Sequence, residues 1–191
     1  MRAFLAITAV TLLFGAPTMA APFGVEMGTP IANLRVLSQK GSVYTVMAPN
    51  PNSEFESYMV IATAKTGVCK INGIGVDHTG DAEGSEIRGV FDKFKTILST
   101  RYGTSKYYDF LHANSIWSNN TEFAMSLRQN QRTLADIWDA EEHSTLAPDI
   151  DSIMLEAHAT NTTTTYITVS YEFKNFKQCK SIVETSEAGS L

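Results

Sequence analysis

Residues 153–173 read IMLEAHATNTTTTYITVSYEF. Ile153, Leu155, Ala157 and Ala159 alternate with Met154, Glu156 and His158. Ile167, Val169, Tyr171 and Phe173 then alternate with Tyr166, Thr168, Ser170 and Glu172. A period of two with β-branched and aromatic residues describes a strand with one buried and one open face. Two such runs joined by an Asn/Thr stretch predict an antiparallel pair. Upstream, Tyr58 to Ala64 and Val68 to Val76 form a second pair around Lys65-Thr66-Gly67, and Val43 to Met47 is a fifth strand that stops at Ala48-Pro49-Asn50-Pro51. Gly73 and Gly75 share a face with Ile71 and leave room for a neighbouring group to approach closely.

Helical periodicity lies between and after the strands. Ile87, Val90, Phe91, Phe94, Ile97 and Leu98 fall on one stripe, with Ser85 as cap and Gly103 as stop. Ser105 opens an expected short helix holding Tyr107, Tyr108, Phe110 and Leu111. Phe123, Leu127, Leu134, Ile137 and Trp138 predict a longer one, either continuous or broken over Arg128 to Arg132, where no apolar anchor falls. A last helix is expected from Asn175 to about Val183, with 184–191 as a flexible tail. Strands in groups with helices between the groups give an α+β fold: a mainly antiparallel sheet with helices packed on one face and a single domain over 21–183.

Residues 1–20, MRAFLAITAVTLLFGAPTMA, have another character. Arg2 precedes an apolar run, Gly15 and Pro17 break it, and small residues close at Ala20. This is the layout of a secretory signal peptide, too short for a membrane span. The expected address is the periplasm or the extracellular medium, and no later run is apolar enough to be membrane-spanning. Gly24 to Leu34, GVEMGTPIANL, resembles the strand–glycine–short-helix opening of several small exported families, β-lactamase-inhibitor-like ones among them. With no second copy of that stretch, no function follows from it. An exported chain with two cysteines is expected to join them, so Cys69 and Cys179 predict one disulfide between a strand and the last helix.

The chain has 191 residues and a net charge of −5, which argues against a nucleic-acid partner needing a basic stripe. No nucleophile elbow, zinc-protease pair or phosphate loop is present, and Gly73-Ile74-Gly75 lacks the third glycine of a dinucleotide site. No cofactor is therefore implied. The acidic loop 77–86 offers Asp77, Asp81 and Glu83 as oxygen ligands of the kind calcium takes, without the spacing of a helix–loop–helix site. Acids ahead of a helix are equally explained by its dipole. Glu156, His158, Tyr166 and Glu172 share the open face of the last hairpin and could perform acid/base chemistry. Tyr107, Tyr108 and Trp117, with Arg128 and Arg132 four apart on one helical face, have the make-up of a binding surface.

Three functions fit these readings. The first is a non-enzymatic binding or inhibitory module of the bacterial envelope, directed to an envelope or extracellular protein or glycan. The second is a small secreted hydrolase using the His/Glu strand face. The third is a structural component of an envelope complex, which would need a large apolar surface patch.

Overall fold

The computed structural model describes residues 21–188, so the expected leader over 1–20 and the last three residues of the expected tail lie outside the described part. Nine strands form one antiparallel sheet: β1 (Arg35–Lys40), β2 (Val43–Met47), β3 (Phe55–Thr63), β4 (Gly67–Gly75), β5 (His78–Thr79), β6 (Lys106–Leu111), β7 (Arg132–Trp138), β8 (Ile150–Ala159) and β9 (Thr164–Phe173). Their order is β1-β2-β3-β4-β9-β8-β7-β6, with β5 beside β9. The chain thus makes one four-stranded meander, crosses over through α1 (Ser85–Tyr102), and makes a second meander. The two meet where Ile71 pairs with Tyr171 and Gly73 with Val169. A short α2 (Phe123–Arg128) precedes β7, and α3 (Phe176–Ala188) follows β9.

The alternation read from 153–173 is met except at two positions: Ser170, expected on the open face, is buried, and Ala159, expected on the buried face, is half-buried. Ile153, Leu155, Ala157, Ile167, Val169, Tyr171 and Phe173 are buried, while Met154, Glu156, His158, Tyr166 and Thr168 are half-buried. The α1 stripe also holds, with Ile87, Phe91, Phe94, Leu98 and Tyr102 buried against β8 and β9; Ile97 is turned outward at 51% exposure. Gly73 is where the sheet admits other rings: a Cβ there would stand 2.8 Å from both Phe23 and Phe55.

Four expectations are corrected. Residues 106–111 form a strand, since three aromatics in six residues favour a pleated surface over a helix. The segment 120–141 is a helical turn, a short α2 and then β7: the break at Gln129 to Gln131 ends the helix, and Asn130 takes the left-handed conformation (φ 53°) that turns the chain into the strand. Ser85 does not cap α1; Asp81 does. The last helix runs on to Ala188, beyond the expected end at Val183. Two strands went unread. β1 is exposed throughout and shows no alternation, and β5 is only two residues long.

Cys69 and Cys179 form the expected disulfide, with both residues fully buried and their Cα atoms 6.3 Å apart. Asn175 Nδ2 donates to the carbonyl oxygens of Thr66 and Val68 at 3.1 Å each, so the start of α3 is fastened to the β3–β4 turn as well. No helix among the described residues is long and apolar enough to cross a membrane.

Candidate functional site

The sheet has two edges, and they differ. β1 is interrupted by a register shift between Val36 and Ser38, puts Leu37 outward at 58% exposure, and carries Arg35 and Lys40 at its ends. A bulge and terminal charges are devices that stop another strand from adding to an edge. β6 also opens on a charge, Lys106, and carries Asp109, but it has no bulge. Its six residues pair with β7 in one unbroken register, from Lys106 opposite Ile137 to Leu111 opposite Arg132.

The direction of the β6 backbone follows from that register. His112 N donates to Gln131 O at 2.7 Å, so the next residue pair, Leu111 with Arg132, is a non-hydrogen-bonded one, and the pattern alternates onward. The backbone groups of Phe110, Tyr108 and Lys106 therefore face β7. Those of Tyr107, Asp109 and Leu111 face away from the sheet, toward the open edge. Beside them Tyr107 is 46% and Phe110 44% exposed, and Ile116 in the following loop reaches 74%. An edge with free donors and acceptors, flanked by apolar side chains, is the arrangement used in recognition by strand addition.

Below this edge, on the α1 side, lies a charged network. Asp109 receives Arg88 Nη1 at 2.7 Å and Arg132 Nη1 at 3.1 Å. Burial alone would raise the Asp109 pKa; the hydrogen bond and charge of Arg88, with the charge of Arg132, outweigh it and hold the carboxyl below its ordinary value. Arg132 Nε also donates to Ser126 Oγ at 3.2 Å. Both guanidinium groups lie over the Phe123 ring, at 4.5 Å for Arg88 and 5.0 Å for Arg132. Phe123 reaches this position because residue 84 is glycine: a Cβ there would stand 1.9 Å from the ring, and φ is +74°. Further along, Asp136 is fully buried in β7. Lys95 Nζ lies 3.0 Å from its Oδ2 and 3.9 Å from the centre of the Tyr107 ring.

The residues singled out from sequence therefore separate. Tyr107 and Tyr108 both lie on β6 but point to opposite faces, as neighbours in a strand must. Trp117 is half-buried in the loop after β6. Arg128 and Arg132 do not share a helix: Arg128 ends α2 and donates to Thr160 O, while Arg132 opens β7. The partner of Arg132 is Arg88, and the two meet at Asp109. Neither Arg88 nor Asp109 stands out in sequence, because their meeting depends on β6 being a strand.

The strand-face group is also divided. His158 lies opposite Tyr166, and their rings stack at 5.2 Å. Its Nε2 is 3.0 Å from Thr168 Oγ1 and 3.4 Å from Glu156 Oε2. Both neighbours meet the same nitrogen, so the imidazole does not bridge a hydroxyl to an acid as a nucleophilic triad requires. Glu172 is six positions along β9 from Tyr166, about 20 Å at the usual rise, and is held by Lys70 at 2.8 Å.

Burial lowers the His158 pKa, partly offset by Glu156. The unfolded chain therefore takes up this proton first, so the contribution to stability is complete above about pH 6.5 and declines as pH falls toward the lower folded value. Replacing His158 with Gln is expected to flatten the decline in denaturation midpoint between about pH 6.5 and pH 5. An unchanged pH profile would show that His158 titrates alike in both states.

The three acids of the 77–86 loop also part. Asp81 is buried and accepts from Glu86 N (2.9 Å), Ile87 N (3.0 Å) and Thr165 Oγ1 (2.8 Å), which makes it the cap of α1. Glu83 lines the cavity beside Arg88, and Asp77 acts on Tyr166. Among the described residues no three His, Cys, Asp or Glu side chains gather into a metal-holding group. No family model, curated protein or solved structure matches the chain.

Proposed function

We propose that the protein is an exported, non-enzymatic binding module of a bacterial envelope, and that it captures an extended segment of another protein along β6. The observation that carries the reading is the unbulged β6 edge, unpaired among the described residues, with the backbone of Tyr107, Asp109 and Leu111 turned outward, set against a β1 edge that is bulged. The disulfide accords with an oxidising compartment, as does the leader-like start of the chain. The reading keeps the helices on the apolar face, above all α1, and leaves the edge to the partner. It displaces the hydrolase alternative, for which His158 lacks a relay.

The test is Leu111→Pro. Proline is tolerated at an edge position whose N–H faces outward, yet it removes that donor and bars an incoming strand. The variant should keep the melting temperature of the parent. It should retain the envelope protein captured by the parent at least about tenfold more weakly. In the complex of the parent protein, the amides of Tyr107, Asp109 and Leu111 should become protected from hydrogen exchange. Equal retention by Leu111→Pro, or unchanged exchange at those three amides, would sink the proposal.

A further inference from the structure

A cavity of about 330 Å³ opens between the start of α1 and the start of β7, lined by Glu83, Ser85, Arg88, Phe123, Arg132 and the Asn119–Asn120 pair. Its two arginines are held in place before any ligand arrives. Asp109 accepts from both Nη atoms of Arg88 and from Nη1 of Arg132, Ser126 accepts from Arg132 Nε, and both guanidinium groups lie over the Phe123 ring. A guanidinium locked this way loses little freedom on taking an acceptor. Arg132 Nη2 has no protein acceptor among the described residues, although its side chain is only 20% exposed. The Ser85 hydroxyl likewise accepts and donates nothing among the described residues. The site therefore offers one charge-assisted donor, Arg132 Nη2, and one neutral hydroxyl, Ser85, in the lining of the cavity.

The charges select among anions. Arg88 and Arg132 contribute two positive charges, and Asp109 behind them with Glu83 at the wall contribute two negative ones. A dianion such as phosphate would leave a local surplus of two negative charges. A carboxylate leaves one, and its planar pair of oxygens matches a guanidinium fork. Asn119 and Asn120 provide amides for polar groups next to the carboxylate.

Asp109 is not part of the cavity lining but links it to the strand edge: its backbone faces the open edge and its carboxylate accepts from both arginines that line the cavity. A strand added to β6 lies about 4.8 Å away, and its side chains on the α1 side would fall next to that of Asp109. We infer that the Arg88–Arg132 cavity is a specificity pocket for an acidic side chain, Asp or Glu, carried by the captured strand. This assignment rests on strand addition at β6 and adds to it the chemistry that the partner must carry.

The probe is N-acetyl-glutamate N-methylamide, with N-acetyl-glutamine N-methylamide as its neutral match and glucuronate as an acidic sugar. The readout is the ¹⁵Nε–H resonances of Arg88 and Arg132 in the intact protein, titrated at fixed ionic strength. The glutamate compound should move both resonances saturably in the millimolar range, and the glutamine compound should not. Arg132→Gln should abolish the response of the remaining arginine. If that variant fails to fold, Ser85→Ala together with Asn119→Ala gives the second measure, a weakened response with both arginines kept. No saturable shift with glutamate, or equal shifts with glutamine, would overturn the pocket. A response to glucuronate alone would overturn its assignment to a peptide. Leu111→Pro should leave the glutamate titration unchanged, so a failure of strand addition is told apart from a failure of the pocket.

Discussion

Asp81→Ala is expected to destabilise the protein by about 3 kcal/mol, more than any other single substitution considered. The carboxylate satisfies two backbone N–H groups at the start of α1 and the hydroxyl of Thr165, which is itself fully buried in β9. Alanine removes a helix cap, worth about 1 kcal/mol, and strands a buried hydroxyl, worth a further 1–3 kcal/mol or so. The Asp81 backbone also takes part, because Asp81 N donates to Thr163 O at 2.8 Å and so ties the loop to the β8–β9 turn. Asp81→Asn, which keeps an acceptor, should cost about 1 kcal/mol. Denaturant midpoints at constant m-value would establish the order. Equal losses for the two variants would show that the cap needs both carboxylate oxygens, since the amide keeps only one acceptor.

Replacing both Cys69 and Cys179 with alanine should cost about 4 kcal/mol. The sequence separation is 110, and closing a loop of that size in the unfolded chain accounts for a figure of this order. The m-value should rise together with the fall in midpoint, because the uncrosslinked chain unfolds to a larger exposed surface. A lowered midpoint with an unchanged m-value would place the loss in native packing around the buried sulfurs instead. Both residues are fully buried, so reduction should require at least local opening of α3.

The β8–β9 hairpin was legible because its strands are half-buried, and half-burial writes a period of two into the sequence. Ile153 to Phe173 is the plainest example. The disulfide was legible from compartment and count alone. β6 and β7 were read as helices because Tyr107, Tyr108, Phe110 and Leu111 do not alternate cleanly: as an edge strand, β6 exposes side chains on both faces. In β7 a charge occupies a core position, Asp136, which breaks the pattern that would have marked the strand. The candidate site suffers from the same cause. Its residues, Arg88, Asp109 and Arg132, come from three elements, and only a correct β6–β7 register brings them together. Arg132 was singled out in sequence, but with Arg128 as companion, because a spacing of four has meaning only on a helix.

The order of elements has a symmetry that no short period in the sequence reveals. Four strands and a helix occur twice, β1 to β4 with α1 and then β6 to β9 with α3. Each helix packs on the other unit's sheet, α1 on β8 and β9, α3 on β3 and β4. The units meet strand to strand through β4 and β9, antiparallel, as two copies would across a two-fold axis. The molecule is thus built like a dimer folded into one chain, with the disulfide as a covalent clasp across its internal interface. Either half on its own would present β4 or β9 as a raw edge and would pair with whatever strand it met first.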